Sequence, residues 1–289
     1  MSLRGRMIHL YLLNGSATGT IKCTLPNWIG VIYKIPRTEL KNCKDRKDLQ
    51  HSGIYFLFGK SDDSGKNVVY VGQAGMRRNG KGLRERILEQ ARDPRKEYWT
   101  EAVVITTIDN SWGPTHINYL ENRFTKLAVD AGRYVVKNGN TPNLGNISEE
   151  MGFELNDFID YSKIVMGILG HKVFIPLDEA TENSGGGRGT KLVLNQRGAH
   201  ASGVQTSEGI VVCRGSRIVS TPTPSCHDWI KKLREANAGR INSDFVTTGD
   251  IVFNSPSAAA GFCVYGAING RTAWTTEDGR TLKALEEGI

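Results

Sequence analysis

Two short apolar runs separated by a polar turn constrain this chain more than any other feature. Residues 53–58 (GIYFLF) and 68–72 (VVYVG) are rich in β-branched and aromatic side chains, and the segment between them carries Asp62, Asp63, Ser64 and Gly65. Runs of that composition read as strands, and a polar, glycine-containing connection returns the second strand antiparallel to the first. Beyond a glycine-rich stretch, Leu83, Ile87 and Ala91 recur at steps of four, which predicts a helix over residues 82–92. Residues 102–107 (AVVITT) read as a third strand. Residues 115–132 read as a long amphipathic helix, with Ile117, Leu120, Phe124, Leu127 and Ala131 on one stripe and Gly132 as the stop. The order is strand, hairpin, strand, helix, strand, helix, a compact α/β (α+β) unit.

Around it, residues 8–13, 21–25 and 29–33 read as short strands, and residues 37–50 as a loop or short helix. Residues 153–169 predict another helix. Residues 181–190 (TENSGGGRGT) form the clearest linker, since packing does not account for the glycines. After it, residues 210–212 and 217–220 are strand-like and residues 229–236 read as a short helix. Residues 255–260 (SPSAAA) open with a Ser cap and an early Pro, and Trp274 falls in a strand or turn after Asn269-Gly270. The expected division is a β-rich segment 1–50, a central domain 51–170, a linker 178–190 and a small α+β domain 191–289.

Composition excludes more than it selects. With 289 residues, 39% hydrophobic and 23% charged, the chain can build ordinary packed cores, and no apolar run is long enough for a transmembrane helix. Residues 1–13 lack a small-residue cleavage site and do not read as a signal peptide. The cysteines (Cys23, Cys43, Cys213, Cys226, Cys263) are odd in number and widely spaced, which argues against a zinc site or disulfide framework and for a reducing cytoplasm. His9, His51, His116, His171, His200 and His227 form no metal-spaced pair, and each reads as structural. The net charge of +7 matters chiefly for its placement. Arg77, Arg78, Lys81, Arg84, Arg92 and Lys96 crowd the segment after the hairpin, where they could follow a nucleic-acid backbone or simply line a solvated helix.

Singly, the candidate site residues have ordinary explanations. Tyr55 and Tyr70 could be strand aromatics, Arg86 a surface arginine and Glu121 a helix-surface acid. Together they say more. The hairpin brings the tyrosines near each other beside Gly53 and Gly72, and Arg86 lies at the edge of the core face set by Leu83 and Ile87. Glu121 follows Leu120 and precedes Phe124 by three, at the margin of the apolar stripe.

Gly53-Ile54-Tyr55, Tyr70-Val71-Gly72, Arg86 and Glu121, in this order and spacing, resemble the GIY-YIG nuclease domain over residues 51–145. The resemblance implies a small nuclease domain with a central three-stranded antiparallel sheet flanked by helices, supplemented here by the N-terminal strands. It implies a metal-dependent endonuclease that hydrolyses phosphodiester bonds in double- or single-stranded DNA, with Mg2+ (or Mn2+) as cofactor. Tyr55, Tyr70, Arg86 and Glu121 would surround one metal ion held by Glu121, and Asn138 (with Asn140 close behind) matches the family's asparagine. Arg86 would hold a phosphate oxygen, Tyr55 would act as general base, and Tyr70 would orient water or Tyr55. A free phenol, with a pKa near 10, would need about 4 kcal/mol of help to act as a base at neutral pH. Two positions depart from the pattern: Gln90, where some members have histidine, and Gln73, where UvrC-like members often have lysine. One active site cuts one strand, so double-strand cleavage would need a homodimer or two encounters. Residues 253–260 (FNSPSAAA) and Asn269-Gly270 before Trp274 resemble an uncharacterised domain often fused to bacterial GIY-YIG nucleases. The alternatives are a nucleic-acid-binding module without turnover, an RNA-directed nuclease, and a scaffold protein with a solvated basic helix.

Overall fold

The structure is a computed structural model, described over residues 5–61, 65–76, 82–139, 144–176, 190–206, 208–224 and 226–288. The chain divides into two compact units, Ser2–Pro176 and Leu177–Ile289. The linker expected at 178–190 lies outside the described residues except for Thr190.

In the first unit the strands are β1 (His9–Leu12), β2 (Ile21–Thr24), β3 (Gly30–Pro36), β4 (Gly53–Lys60) and β5 (Asn67–Ala74), followed by helix α1 (Leu83–Arg92). Next come β6 (Trp99–Thr107), α2 (Pro114–Ala131), β7 (Val135–Val136) and α3 (Glu149–Ile168). Residues expected as a loop or short helix form two 3-10 helices, Arg37–Cys43 and Lys47–Gln50. The strands make one seven-stranded sheet in the order β1-β2-β3-β6-β4-β5-β7. Its centre, β6-β4-β5, is antiparallel, and the N-terminal strands extend it through β3 against β6. Only β7 runs parallel to its neighbour, β5.

Both faces of the central strands are covered, whereas β1 is exposed. Tyr55, Leu57, Val104 and Tyr33 share a core with Leu83 and Ile87 of α1 and with Leu40 and Leu49 of the 3-10 helices. Ile54, Phe56, Val71 and Ile105 point the other way, into a core with Ile117, Leu120 and Phe124 of α2 and Leu155 and Phe158 of α3. Because β4 is central and sandwiched, its apolar run has no polar alternation. Helix α2 opens on Pro114 and ends at Gly132, whose φ of 63° is the left-handed cap that glycine adopts freely. Helix α3 is capped by Ser148, which accepts from the Met151 amide, so it begins ahead of its first apolar residue.

The second unit is a four-stranded antiparallel sheet with helices. Its elements are β8 (Lys191–Gln196), β9 (Ala199–Thr206), β10 (Gly209–Val212), α4 (Asp228–Ala236), β11 (Ile251–Phe253), α5 (Pro256–Val264), α6 (Gly270–Ala273) and α7 (Leu282–Glu287), and its strand order is β11-β10-β9-β8. Ser255 caps α5 by accepting from the Ala258 amide. Residues 217–220 make no strand; only Arg217 bridges, to His200 and Val246. Trp274 is fully buried at the end of α6 and donates to the Pro256 carbonyl at 3.1 Å. Arg234 of α4 is buried between Phe262 and Tyr265 and donates to the carbonyls of Phe262, Val219 and Cys263. The α+β class is thus observed in both units. No helix among the described residues is long and apolar enough to cross a membrane.

Candidate active site at the edge of the hairpin

The hairpin register sets the site. Tyr55 lies opposite Gly72 and Leu57 opposite Tyr70, so the two tyrosines are diagonal neighbours on the α1 face, with ring centroids 6.2 Å apart. The Tyr55 ring lies across Gly72: a Cβ there would strike its phenol. Glycine is therefore required at position 72 by close approach rather than by backbone twist.

Among the described residues no strand pairs with β5 beyond Val69 on this side. Strand β7 pairs only with Val68 and Val69, and the Lys137 amide then donates to the Val69 carbonyl. At Val71 the Asn138 side chain takes over: its Oδ1 accepts from the Val71 amide at 3.0 Å and its Nδ2 donates to the Val71 carbonyl at 2.8 Å. Asn138 thus mimics one more residue of parallel strand and stops the ladder just before Gly72. Asn140 lies outside the described residues.

Helices from opposite faces meet at that edge. From α1, the Arg86 guanidinium is ion-paired with Glu89 at 3.1 Å and interacts with Tyr55. From α2, one oxygen of Glu121 accepts from Gln73 Nε2 at 2.9 Å, while the same amide donates to Asn118 at 2.6 Å. Glu121 feels Arg86, and Tyr55 feels both. Tyr55, Tyr70, Arg86 and Glu121 are therefore one electrostatic cluster. The Tyr55 hydroxyl is buried and has no hydrogen-bond partner among the described residues; Arg86 acts on it from beyond hydrogen-bond geometry.

Burial sets the direction of the shifts at Tyr55 and Glu121. It pushes the Tyr55 phenol well up, with Tyr70 adding to the rise and Arg86 opposing it. Burial also raises Glu121 against the lowering effects of Gln73 and Arg86. Burial lowers Arg86, but Tyr55 and Glu89 outweigh it and the guanidinium stays firmly charged. Lys96 sits 3.5 Å above the Tyr70 ring and donates to Gln90, and desolvation there lowers its ammonium.

Of the expected basic row, Arg77, Arg78 and Lys81 lie outside the described residues. Arg84 pairs with Glu85 and lies within electrostatic reach of Cys43, on the side of α1 that meets the first 3-10 helix. Arg92 is exposed at the end of α1. Of the described residues of that row, Lys96 lies over the Tyr70 ring. Sequence reasoning did not single out Asn118, Tyr98 or Lys137, which reach the site from separate elements. The weak signal they offered was polar or aromatic residues at the ends of apolar elements.

Among the described residues no three His, Cys, Asp or Glu side chains gather, so a cation at Glu121 would hold one protein carboxylate. That donor set suits a hard ion such as Mg2+, which keeps several waters and takes oxygens from a phosphate.

No curated protein and no solved structure matches the chain. Residues 192–286, nearly all of the second unit, match the model of a domain of unknown function, DUF4357, so the C-terminal part of the chain carries an uncharacterised domain.

Proposed function

We propose that the first unit is a GIY-YIG-type endonuclease that hydrolyses phosphodiester bonds in DNA with Mg2+ or Mn2+. The observation that carries this reading is the convergence of Tyr55, Tyr70, Arg86 and Glu121, from both faces of the sheet, on the β5 edge beyond Val71. A binding module needs positive charge but has no use for a half-buried carboxylate and an unpartnered phenol beside its arginine.

Each residue has a distinct task. Arg86 presents a planar fork to a non-bridging phosphate oxygen and stays charged throughout. Glu121, once ionised, would hold the cation, and a cation bound there would supply Lewis acidity toward the phosphate. Tyr55 meets the attacking water with its buried hydroxyl. As a neutral phenol it orients that water. Taking its proton requires added positive charge, because burial moves the phenol away from ionisation. Tyr70 walls the site, its ring fixed beneath Lys96.

The test is cleavage of plasmid and single-stranded DNA, with RNA in parallel, by purified protein with Mg2+ or Mn2+. Metal-dependent cutting that disappears in Glu121→Ala is expected. Cutting that survives in this variant, or no cutting of any substrate, would sink the reading. Tyr55→Phe with full activity would remove Tyr55 from the proton transfer.

A further inference from the structure

Beside the candidate site lies a cleft of about 630 Å³ that the four clustered residues do not account for. Arg86 forms one wall, and the cleft runs past Arg95 and Lys96 to Tyr98 and Lys137. Its acids are engaged: Glu89 with Arg86 at 3.1 Å and Asp93 with Arg95 at 3.0 Å. Lys96 and Lys137 are ion-paired with no carboxylate among the described residues; they rest instead over aromatic rings, Lys96 on Tyr70 and Lys137 6.0 Å from the centroid of Tyr98. The Tyr98 hydroxyl is buried without a hydrogen-bond partner among the described residues. It stays protonated, since burial pushes it up to about 12, so it remains a donor.

The wall is built to hold its shape. Arg37, far away in sequence, donates to the carbonyls of Ala91, Lys96, Glu97 and Trp99 and stacks its guanidinium 4.6 Å from the Trp99 ring. One side chain thus ties together the segment from the end of α1 to the start of β6. Lys137 is positioned by its own amide on Val69 and by Asn138 next to it on Val71. The edge of β5 that carries Tyr70 therefore also carries the far end of the cleft.

We propose that this cleft is a nucleic-acid backbone subsite, in which Lys96 and Lys137 grip the phosphate next to the one being cut and the Tyr98 hydroxyl donates to it. The inference rests on the nuclease reading for its direction, but its chemistry is separate. Two lysines in no ion pair among the described residues and a hydroxyl with no hydrogen-bond partner among them suit a phosphate oxygen, the volume suits a nucleotide-sized group, and Arg86 makes the cleft continuous with the reacting centre. Through its contact with Tyr70, Lys96 also couples the grip on the neighbouring phosphate to the position of that ring. It is a positioning residue, not a catalytic one.

The experiment is fluorescence anisotropy of a labelled DNA strand, its duplex and an RNA strand of the same sequence, in EDTA so that nothing is cut, across a salt titration. Lys137→Ala is expected to weaken binding several-fold and to lower the slope of log affinity against log salt by about one. Lys137→Arg restores both, whereas Lys126→Ala on exposed α2 surface changes neither. Lys96→Met, which keeps an unbranched side chain but removes the ammonium that lies over Tyr70, should lose as much as Lys137→Ala. The probe that shows these losses identifies the strand. Unchanged affinity and slope in both lysine variants would overturn the subsite, as would failure of the wild-type protein to bind any probe. Wild-type protein that binds through these lysines but never cuts would sink the nuclease reading and leave the subsite standing. Wild-type protein that cuts while both variants bind normally would sink the subsite alone.

Discussion

Glu121 works against the fold that holds it. Its carboxyl is raised by burial, with Gln73 and Arg86 opposing the rise. A group whose folded pKa lies above its unfolded one favours folding below the unfolded value and loses that contribution as pH rises through the folded value. At neutral pH the ionised carboxylate is therefore a burden, and Glu121→Gln is expected to melt at a higher temperature than wild type while losing cleavage. In the metal-free protein the same shift should place the titration of Glu121 above the ordinary carboxylate range. Gln73→Leu, which removes a lowering hydrogen bond, should move that titration further up, as an NMR titration of the carboxyl without metal would read. Gly72 carries the complementary constraint. Gly72→Ala drives a methyl into the Tyr55 phenol, so about 1–3 kcal/mol of stability should be lost by overpacking. A displaced phenol of order 1 Å should cost cleavage about 100-fold, measurable as kcat against melting temperature in one preparation.

Among the elements, those whose local composition matched their tertiary role were legible in the sequence. The hairpin of β4 and β5 read clearly, and α1 and α2 followed from apolar residues at helical steps. Strand β9 did not, because AHASGVQT opens on five residues with no β-branched or aromatic strand former, has only Val204 and Thr206 at its end, and is held instead by pairing on both sides. Residues 217–220 had strand composition but no continuous partner. The same limit applies to the candidate site. Tyr55, Tyr70, Arg86 and Glu121 were findable through a spacing pattern, whereas Tyr98, Lys137 and the tether from Arg37 exist only once segments far apart in sequence are folded together. Another such long-range contact closes the opposite end of the sheet. Glu101 of β6 is bound by His171 at 2.6 Å and Lys34 at 3.1 Å, and Phe58 stacks on the imidazole. Burial would raise Glu101, but these two partners win and lower it. Its contribution is present above the unfolded carboxylate pKa and is lost as pH falls through the lowered folded value. Glu101→Gln should therefore be less stable than wild type at neutral pH, with the gap in urea midpoint narrowing as the solution is acidified.

At the scale of the whole molecule, each unit closes its own core. Trp274 is fully enclosed in the second, so Trp274→Ala is expected to cost about 3–5 kcal/mol there. Calorimetry should show one transition lowered, with DNA cleavage unchanged below it; loss of cleavage at that temperature would tie the uncharacterised domain to the reaction. The first unit has a different vulnerability, set by its strand order. Strand β3 ends at Pro36, yet its second neighbour, β6, begins at Trp99. During synthesis the hairpin of β2 and β3 leaves the ribosome with one flank of GVIYKIP unpaired until the chain has been extended through β6. For that interval Val31, Ile32 and Tyr33, all destined for the interior, are open to any passing strand. The yield of soluble protein should therefore depend on how fast the ribosome crosses the stretch from β3 to β6, a demand placed on translation speed by the position of a single strand.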